Sequence, residues 1–243
     1  MPNAKDAHAP VLEFNILAQP DDLTCGPTCL QAVYNFYGDT IELKKVIQEV
    51  RQLKSGGTLA VFLGQHALKR GYQATIYTYN LQMFDPSWFN QTEKVDLIDK
   101  LEQQSKVKKG RRFHYASEAY IRFLKSGGKI KFQELNSGLI KKYLRRSVPV
   151  LTGVSATYLY NSPREIGDTN QYHDIEGEPA GHFVVINGFD HSEHKFLVSD
   201  PLNPNPFYKS QYYQVNFNRL VSAILLGIVT YDANLLMINP KSR

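Results

Sequence analysis

Gln19 stands six residues before Cys25 in the run Gln-Pro-Asp-Asp-Leu-Thr-Cys-Gly-Pro-Thr-Cys-Leu (Gln19 to Leu30). A thiol that opens a helix has its thiolate favoured by the unpaired backbone N–H groups and the positive end of the macrodipole. An amide close by can stabilise the oxyanion of a tetrahedral acyl intermediate. Together they supply a nucleophile and an oxyanion donor, two parts of a cysteine acyl-transfer site. The helix is read from local signals. Pro27 belongs in a first turn, where its missing N–H costs nothing. Cys29, Leu30, Val33, Phe36 and Tyr37 then recur at helical spacing, and Gly38 provides the stop. By itself a cysteine is more often a buried structural residue, and that reading is kept for Cys29. Cys25 needs a base and an orienter.

His182 begins the apolar run 181–190, which reads as a buried strand ended by turn residues. A second strand, 195–200, stops at Pro201. The two form a hairpin. If its turn is symmetric about residue 191, facing residue numbers sum to 382, as His182 and Asp200 do. Facing residues share a sheet face with Cβ atoms about 4.5–5.5 Å apart, so Asp200 can accept the imidazole N–H and fix its tautomer. The inference depends on register, since a slip of one residue moves one partner to the opposite face. Asp190 competes as a carboxylate but lies at the turn end of the strand. Separately, His182 reads as a strand-end histidine and Asp200 as a turn residue. Jointly, a helix-start cysteine and a later strand-borne histidine facing a carboxylate fill the roles of a thiol protease.

Several elements resemble the bacteriocin-processing (double-glycine leader) peptidase family of papain-like cysteine proteases. They are Gln19…Cys25-Gly26-Pro27-Thr28, Gly56-Gly57-Thr58…Ala67…Gly71-Tyr72, Gly181-His182-Phe183-Val184-Val185 and Asp200-Pro201. The resemblance spans residues 19–79 and 140–200. It implies a two-lobed papain-like fold with the site in the cleft. It also implies Gln19 as oxyanion donor, Cys25 as nucleophile, His182 as general base and acid, and Asp200 as orienter. Relatives on exporters carry membrane helices and a nucleotide-binding domain. This sequence has no apolar span of that length and no P-loop. The long Cys25-to-His182 interval places extra chain between residues 79 and 136, so cleavage after a double glycine does not carry over.

The remaining elements must position these groups. Expected are an arm over 1–18 and helices after Asp39-Thr40-Ile41-Glu42 and over 59–71, with His66 a core or rim residue. A strand follows over 72–79. A largely helical insertion or cap covers 81–136, with helices at 95–106 and 117–125, and with Phe84, Trp88 and Phe89 either lining a pocket or packing it. Then come an amphipathic helix near 139–144, a buried strand over 148–160, a gating loop over 161–179 and a strand-rich stretch over 212–238. The class is α+β, a single two-lobed domain over 1–243 with a helical lobe (19–145) and an antiparallel β lobe (146–240).

With 243 residues and 42% apolar content, a full core is within reach. Two cysteines four apart on one helix form no secretory disulfide framework, and the start 1–8 lacks an apolar signal core, so a cytoplasmic location is expected. Net charge is +5, with basic clusters at 106–112 and 141–146. No nucleic-acid module accompanies them, and the surplus points to an acidic peptide or protein substrate. No cofactor is expected. His191 and His194 are close together, but the cysteines lack zinc spacing, so no metal is expected either. Oligomeric state is not legible. Two alternatives to the peptidase stay open, a peptidyl or acyl transferase of the same fold resembling phytochelatin synthase, and a catalytically silent peptide-binding module.

Overall fold

Local chemistry starts and stops the first helix where the sequence places it. In the computed structural model, which describes residues 11–53, 56–90, 95–167, 169, 171–190, 192–230 and 232–241, α1 spans Cys25–Phe36. Pro27 lies in its first turn, and Gly38 turns the chain away at φ 76°, a conformation glycine adopts without a Cβ penalty. α2 (Leu43–Glu49) and α3 (Ala60–Lys69) follow, then β1 (Gln73–Thr78). The middle of the chain forms α4 (Leu97–Val107), α5 (Arg111–Lys125), β2 (Lys129–Lys131) and α6 (Ser137–Leu144). The first basic cluster therefore runs into α5, which begins at Arg111, six residues before the expected 117.

Two expectations for the later chain are corrected. The strand expected over 148–160 is β3 (Val150–Ser155), followed by the single-turn helix α7 (Ala156–Leu159). Ser155 makes the switch, its hydroxyl accepting from the Tyr158 N–H. The stretch 212–238 contains β8 (Tyr212–Asn216), α8 (Phe217–Leu226) and β9 (Asn234–Asn239). Asn216 caps α8 through the Asn218 N–H, and Phe217, Leu220, Ala223 and Ile224 are buried at helical spacing. Between these lie a short hairpin, β4 (Glu165–Ile166) with β5 (Gln171–Tyr172), and the long strands β6 (Gly181–Asp190) and β7 (Lys195–Ser199).

Seven strands form one sheet in the order β2-β1-β9-β3-β6-β7-β8, antiparallel except for the β1–β2 pair. β1 and β2 thus join strands from the second half of the chain. Helices cover both faces. Phe183 and Val185 of β6 pack with Leu30, Leu63 and Phe123 from α1, α3 and α5. Val184 and Ile186 pack with Leu144, Leu159, Leu220 and Ile224 from α6, α7 and α8. A strand covered on both faces reads as a continuous apolar run, which is why β6 stands out in the sequence. Phe84 is buried in the first of these cores, with Trp88 and Phe89 packed on it, so these rings fill space. Lys141, on α6, is buried with its ammonium 4.1 Å from the Phe217 ring centroid. The architecture is α+β with a papain-like fold. No helix among the described residues is long and apolar enough to cross a membrane.

Candidate active site

Cys25 is the first residue of α1, behind Thr24, whose side chain does not cap the helix. The helix sits tightly against β6. A Cβ on Gly26 would lie 2.5 Å from Thr58 Cγ2 and 3.2 Å from the Phe183 ring, so only glycine permits the approach. Cys29, one turn inward, is fully buried and donates to the Phe183 carbonyl at 3.2 Å. Burial pushes its thiol well up, reinforced by the nearby Cys25 and Asp200 charges, which fits the structural role expected of it.

The structure brings Cys25, His182 and Asp200 together. His182 Nε2 lies 2.8 Å from Asp200 Oδ1, and the same imidazole lines one cleft with Cys25, close enough for the Cys25 side chain to act on its protonation. With Nε2 taken by the carboxylate, Nδ1 is the ring nitrogen left for the thiol. Burial alone opposes the imidazolium. The Asp200 charge, the Cys25 charge and hydrogen bonds to both outweigh it and lift His182 to about 10.

Asp200 is held by more than the histidine. Its Oδ1 also accepts the Leu202 N–H at 2.9 Å. Its Oδ2 accepts the hydroxyls of Tyr160 (2.7 Å) and Tyr213 (2.8 Å) and the Asn205 amide (3.1 Å). Burial acts to raise this carboxyl, which is 0% exposed, but the His182 charge and these hydrogen bonds bring it below the usual carboxylate value. Tyr160 also packs edge-on against the His182 ring at 6.0 Å. Sequence reasoning missed Tyr160, Tyr213 and Asn205. Tyr160 falls at the end of the expected strand, although Ser155 and Pro-free 156–160 signal a turn of helix that aims it inward. Nothing local marks Tyr213 or Asn205.

The route by which Asp200 reaches His182 differs from the one expected. Near the turn the pairs are Gly188↔Leu197, Phe189↔Phe196 and Asp190↔Lys195. Beyond a bulge between Ile186 and Gly188 they become Ile186↔Val198 and Val185↔Ser199. The turn is therefore not centred on residue 191, which itself lies outside the described residues, and His182 and Asp200 do not face one another. Extending the inner ladder past β7 sets Asp200 toward Val184, two residues from His182 on the same face. The contact is diagonal, and it exists because the bulge changes the parity of the pairing.

Gln19 is half-buried. Its backbone N–H donates to the Pro201 carbonyl at 2.9 Å, and its side-chain amide donates to the Asp21 carbonyl at 2.9 Å. It joins the loop carrying Asp200 to the loop entering α1, but it is not among the residues lining the cleft. That cleft, of about 240 Å³, is lined by Cys25 and His182 together with Leu23, Gly57, Thr58 and Phe183. Asp22, Glu165, Asp232 and Arg112 add charge to its walls. Burial, and then the Asp22 charge, raise Glu165. Burial lifts Asp232 to about 7 despite its bond from the Ala60 N–H at the start of α3. Among the described residues no group of three or more His, Cys, Asp or Glu is arranged to hold a metal ion.

A papain-like fold thus carries a helix-start cysteine, a strand-borne histidine and a buried aspartate at one site. This chain belongs to the Peptidase C39-like family, whose profile matches residues 11–223. No curated protein sequence matches it. Solved structures do. A putative C39-like peptidase from Bacillus anthracis is 14% identical, with a TM-score of 0.53 over 97% of this chain and 100% of that one. The peptidase domain of Streptococcus ComA, a bi-functional ABC transporter, is 14% identical, with a TM-score of 0.45 over 94% and 100%. A double glycine motif protease from an AMS/PCAT transporter, in complex with its leader peptide, is 13% identical, with a TM-score of 0.45 over 96% and 99%.

Proposed function

We propose that the protein is a cysteine peptidase that hydrolyses a peptide or protein amide bond through a thioester on Cys25. The observation that carries this reading is the His182–Asp200 hydrogen bond, with Cys25 and His182 lining the same open cleft. The Cys25 thiolate attacks the scissile carbonyl carbon and the carbonyl electrons move to oxygen. As the tetrahedral adduct collapses, the C–N bond breaks and His182 delivers its Nδ1 proton to the leaving amine. Neutral His182 then takes a proton from water as the hydroxide attacks the thioester, the acid departs and the thiolate–imidazolium pair returns. Asp200 keeps the tautomer and steadies the cation throughout. The Cys25 backbone N–H and the Gln19 amide receive the oxyanion, the latter by leaving the Asp21 carbonyl. An acidic preference in the substrate, expected from the net charge, has Arg112 as its counterpart in the cleft, set against three carboxylates.

The test is labelling by a peptidyl epoxide, whose opening needs both a thiolate and a proton donor. Mass analysis should find the adduct on Cys25 alone, no adduct in Cys25→Ala, and strongly slowed labelling in His182→Ala. Equal modification of Cys29, or indifference to His182, removes the peptidase reading.

A further inference from the structure

The bulge that brings Asp200 to His182 needs its own explanation. Without it, the ladder set at Gly188↔Leu197 would continue with Asn187 opposite Val198 and Val185 opposite Asp200. Asp200 would then project from the face that carries Val185 and Phe183, and His182 from the other. Hydrophobic patterning does not choose between these registers. β6 is buried on both faces and apolar on both, with Phe183 and Val185 in one core and Val184 and Ile186 in the other. Register is weakly specified wherever exchanging the faces leaves similar residues buried. The bulge also leaves the backbone of Asn187 out of the β6–β7 ladder, and a buried peptide group must find a partner elsewhere.

That partner is the N-terminal arm. The Leu12 N–H donates to the Asn187 carbonyl at 2.8 Å, and the Asn187 side-chain amide donates back to the Leu12 carbonyl at 3.1 Å. Next door, the place of a Cβ on Gly188 is 3.3 Å from Val11 Cα, so the arm lies directly on the bulge. From there the arm runs toward the nucleophile. Ile16 donates to the Tyr212 hydroxyl, the Leu17 carbonyl accepts from Gln211, Gln19 donates to the Pro201 carbonyl, and α1 begins six residues later.

We propose that the Leu12–Asn187 pair is a positioning clamp: by holding the bulge in β6, the N-terminal arm keeps His182 and Asp200 on one face of the sheet. Leu12 and Asn187 are positioning residues, and the proposal rests on the peptidase reading of Cys25 and His182. Deleting Asn187 separates this role from ordinary stabilisation. It removes the extra residue while leaving Ile186 opposite Val198, so the site's parity no longer depends on the arm.

The experiment measures peptidyl-epoxide labelling of Cys25 against pH, with circular dichroism to verify folding. Leu12→Pro, which removes the N–H donor, should slow labelling at pH 8 by at least about tenfold, part of what general acid catalysis contributes. Its alkaline limb should move down toward the ordinary imidazole range. Asn187→Ala should act in the same direction to a smaller extent, and it decides the matter if the proline variant does not fold. Deleting Asn187 from the Leu12→Pro chain should restore both rate and limb. Wild-type behaviour in both single variants, or a loss that the deletion does not restore, overturns the clamp. The peptidase reading fails separately, if the unaltered chain labels without dependence on His182.

Discussion

Two histidines in this chain stand between a carboxylate and an acidic X–H group, and the protein treats them oppositely. His182 is bonded to Asp200 and lines one cleft with Cys25, whose charge also acts on it. His66 bridges Glu49, at 3.0 Å from Nε2, and the Tyr34 hydroxyl, at 2.8 Å from Nδ1. Both rings are nearly buried, at 8% and 4% exposure. The carboxylates differ. Asp200 is sealed and accepts five hydrogen bonds, so its charge acts at short range through little solvent. Glu49 is 44% exposed, and water screens it. Burial therefore wins at His66, which is lowered from its ordinary value, the Glu49 hydrogen bond acting only as a partial offset. Charge wins at His182. The third partners differ as well. Cys25 borders a cleft, whereas Tyr34 is 0% exposed and burial holds its phenol far above the usual range. Two relays of similar composition thus differ in their anion, desolvated and saturated with donors in one and screened by water in the other, and in whether the far end borders a cleft.

The sharpest way to break that contrast is to remove each ring. His182→Ala should slow epoxide labelling of Cys25 by about 10²–10⁴-fold, the usual worth of a positioned general acid. His66→Ala should leave labelling unchanged, while lowering unfolding free energy by about 1–3 kcal/mol through the unpaired Tyr34 hydroxyl. A labelling defect in the second variant would erase the distinction. Next in size is the carboxylate. Asp200→Asn should bring the alkaline limb of labelling, expected near pH 10 from the His182 value, down by about 1–3 pH units. An unmoved limb would show that Asp200 does not set the imidazolium.

Stability against pH sharpens the comparison further. His182 is raised on folding, so its contribution is complete below its unfolded value of about 6.5 and is lost as pH climbs through about 10. Asp200 is lowered, so its contribution is present above the unfolded carboxylate value and is lost as acid reaches the folded one. His66 is lowered, so the unfolded chain binds a proton that the folded chain resists. Stability should thus decline as pH falls below about 6.5. Denaturant melts of His66→Ala across pH 5–8 should lose that decline. Among the changes at Asp200 itself, Tyr160→Phe has the smallest effect on labelling. It removes one of five donors from Asp200 and should cost about 1.5–3 kcal/mol of stability, as for a hydrogen bond to a charged group, while leaving labelling at neutral pH within a few-fold of the unaltered chain.

The elements that carry Cys25 and His182 were legible because their signals are local. Pro27 and Gly38 bracket α1, and the apolar run of β6 announces a doubly covered strand. The meeting of His182 and Asp200 was also anticipated, but through a turn centre that the structure moves. The bulge depends on Leu12, far away in sequence, and hairpin arithmetic contains no such partner. Tyr160, Tyr213 and Asn205 converge on Asp200 from three loops and strands, and tyrosines in half-apolar segments look like packing. By contrast, α8 was readable. Burial at 217, 220, 223 and 224 follows the helical period, and Asn216 is a good cap. The β-rich expectation for 212–238 gave too much weight to its branched residues.

The sequestration of Cys29 bears on how this protein meets oxidants. The sequence holds two cysteines, and the second is locked into a helix interior and bonded to a strand carbonyl. A sulfenic acid formed on Cys25 would have no neighbouring thiol able to condense with it, since residues four apart on a rigid helix make a poor disulfide. Recovery of an oxidised molecule would then require a small external thiol to enter the cleft, tying its working lifetime to the reducing strength of its surroundings.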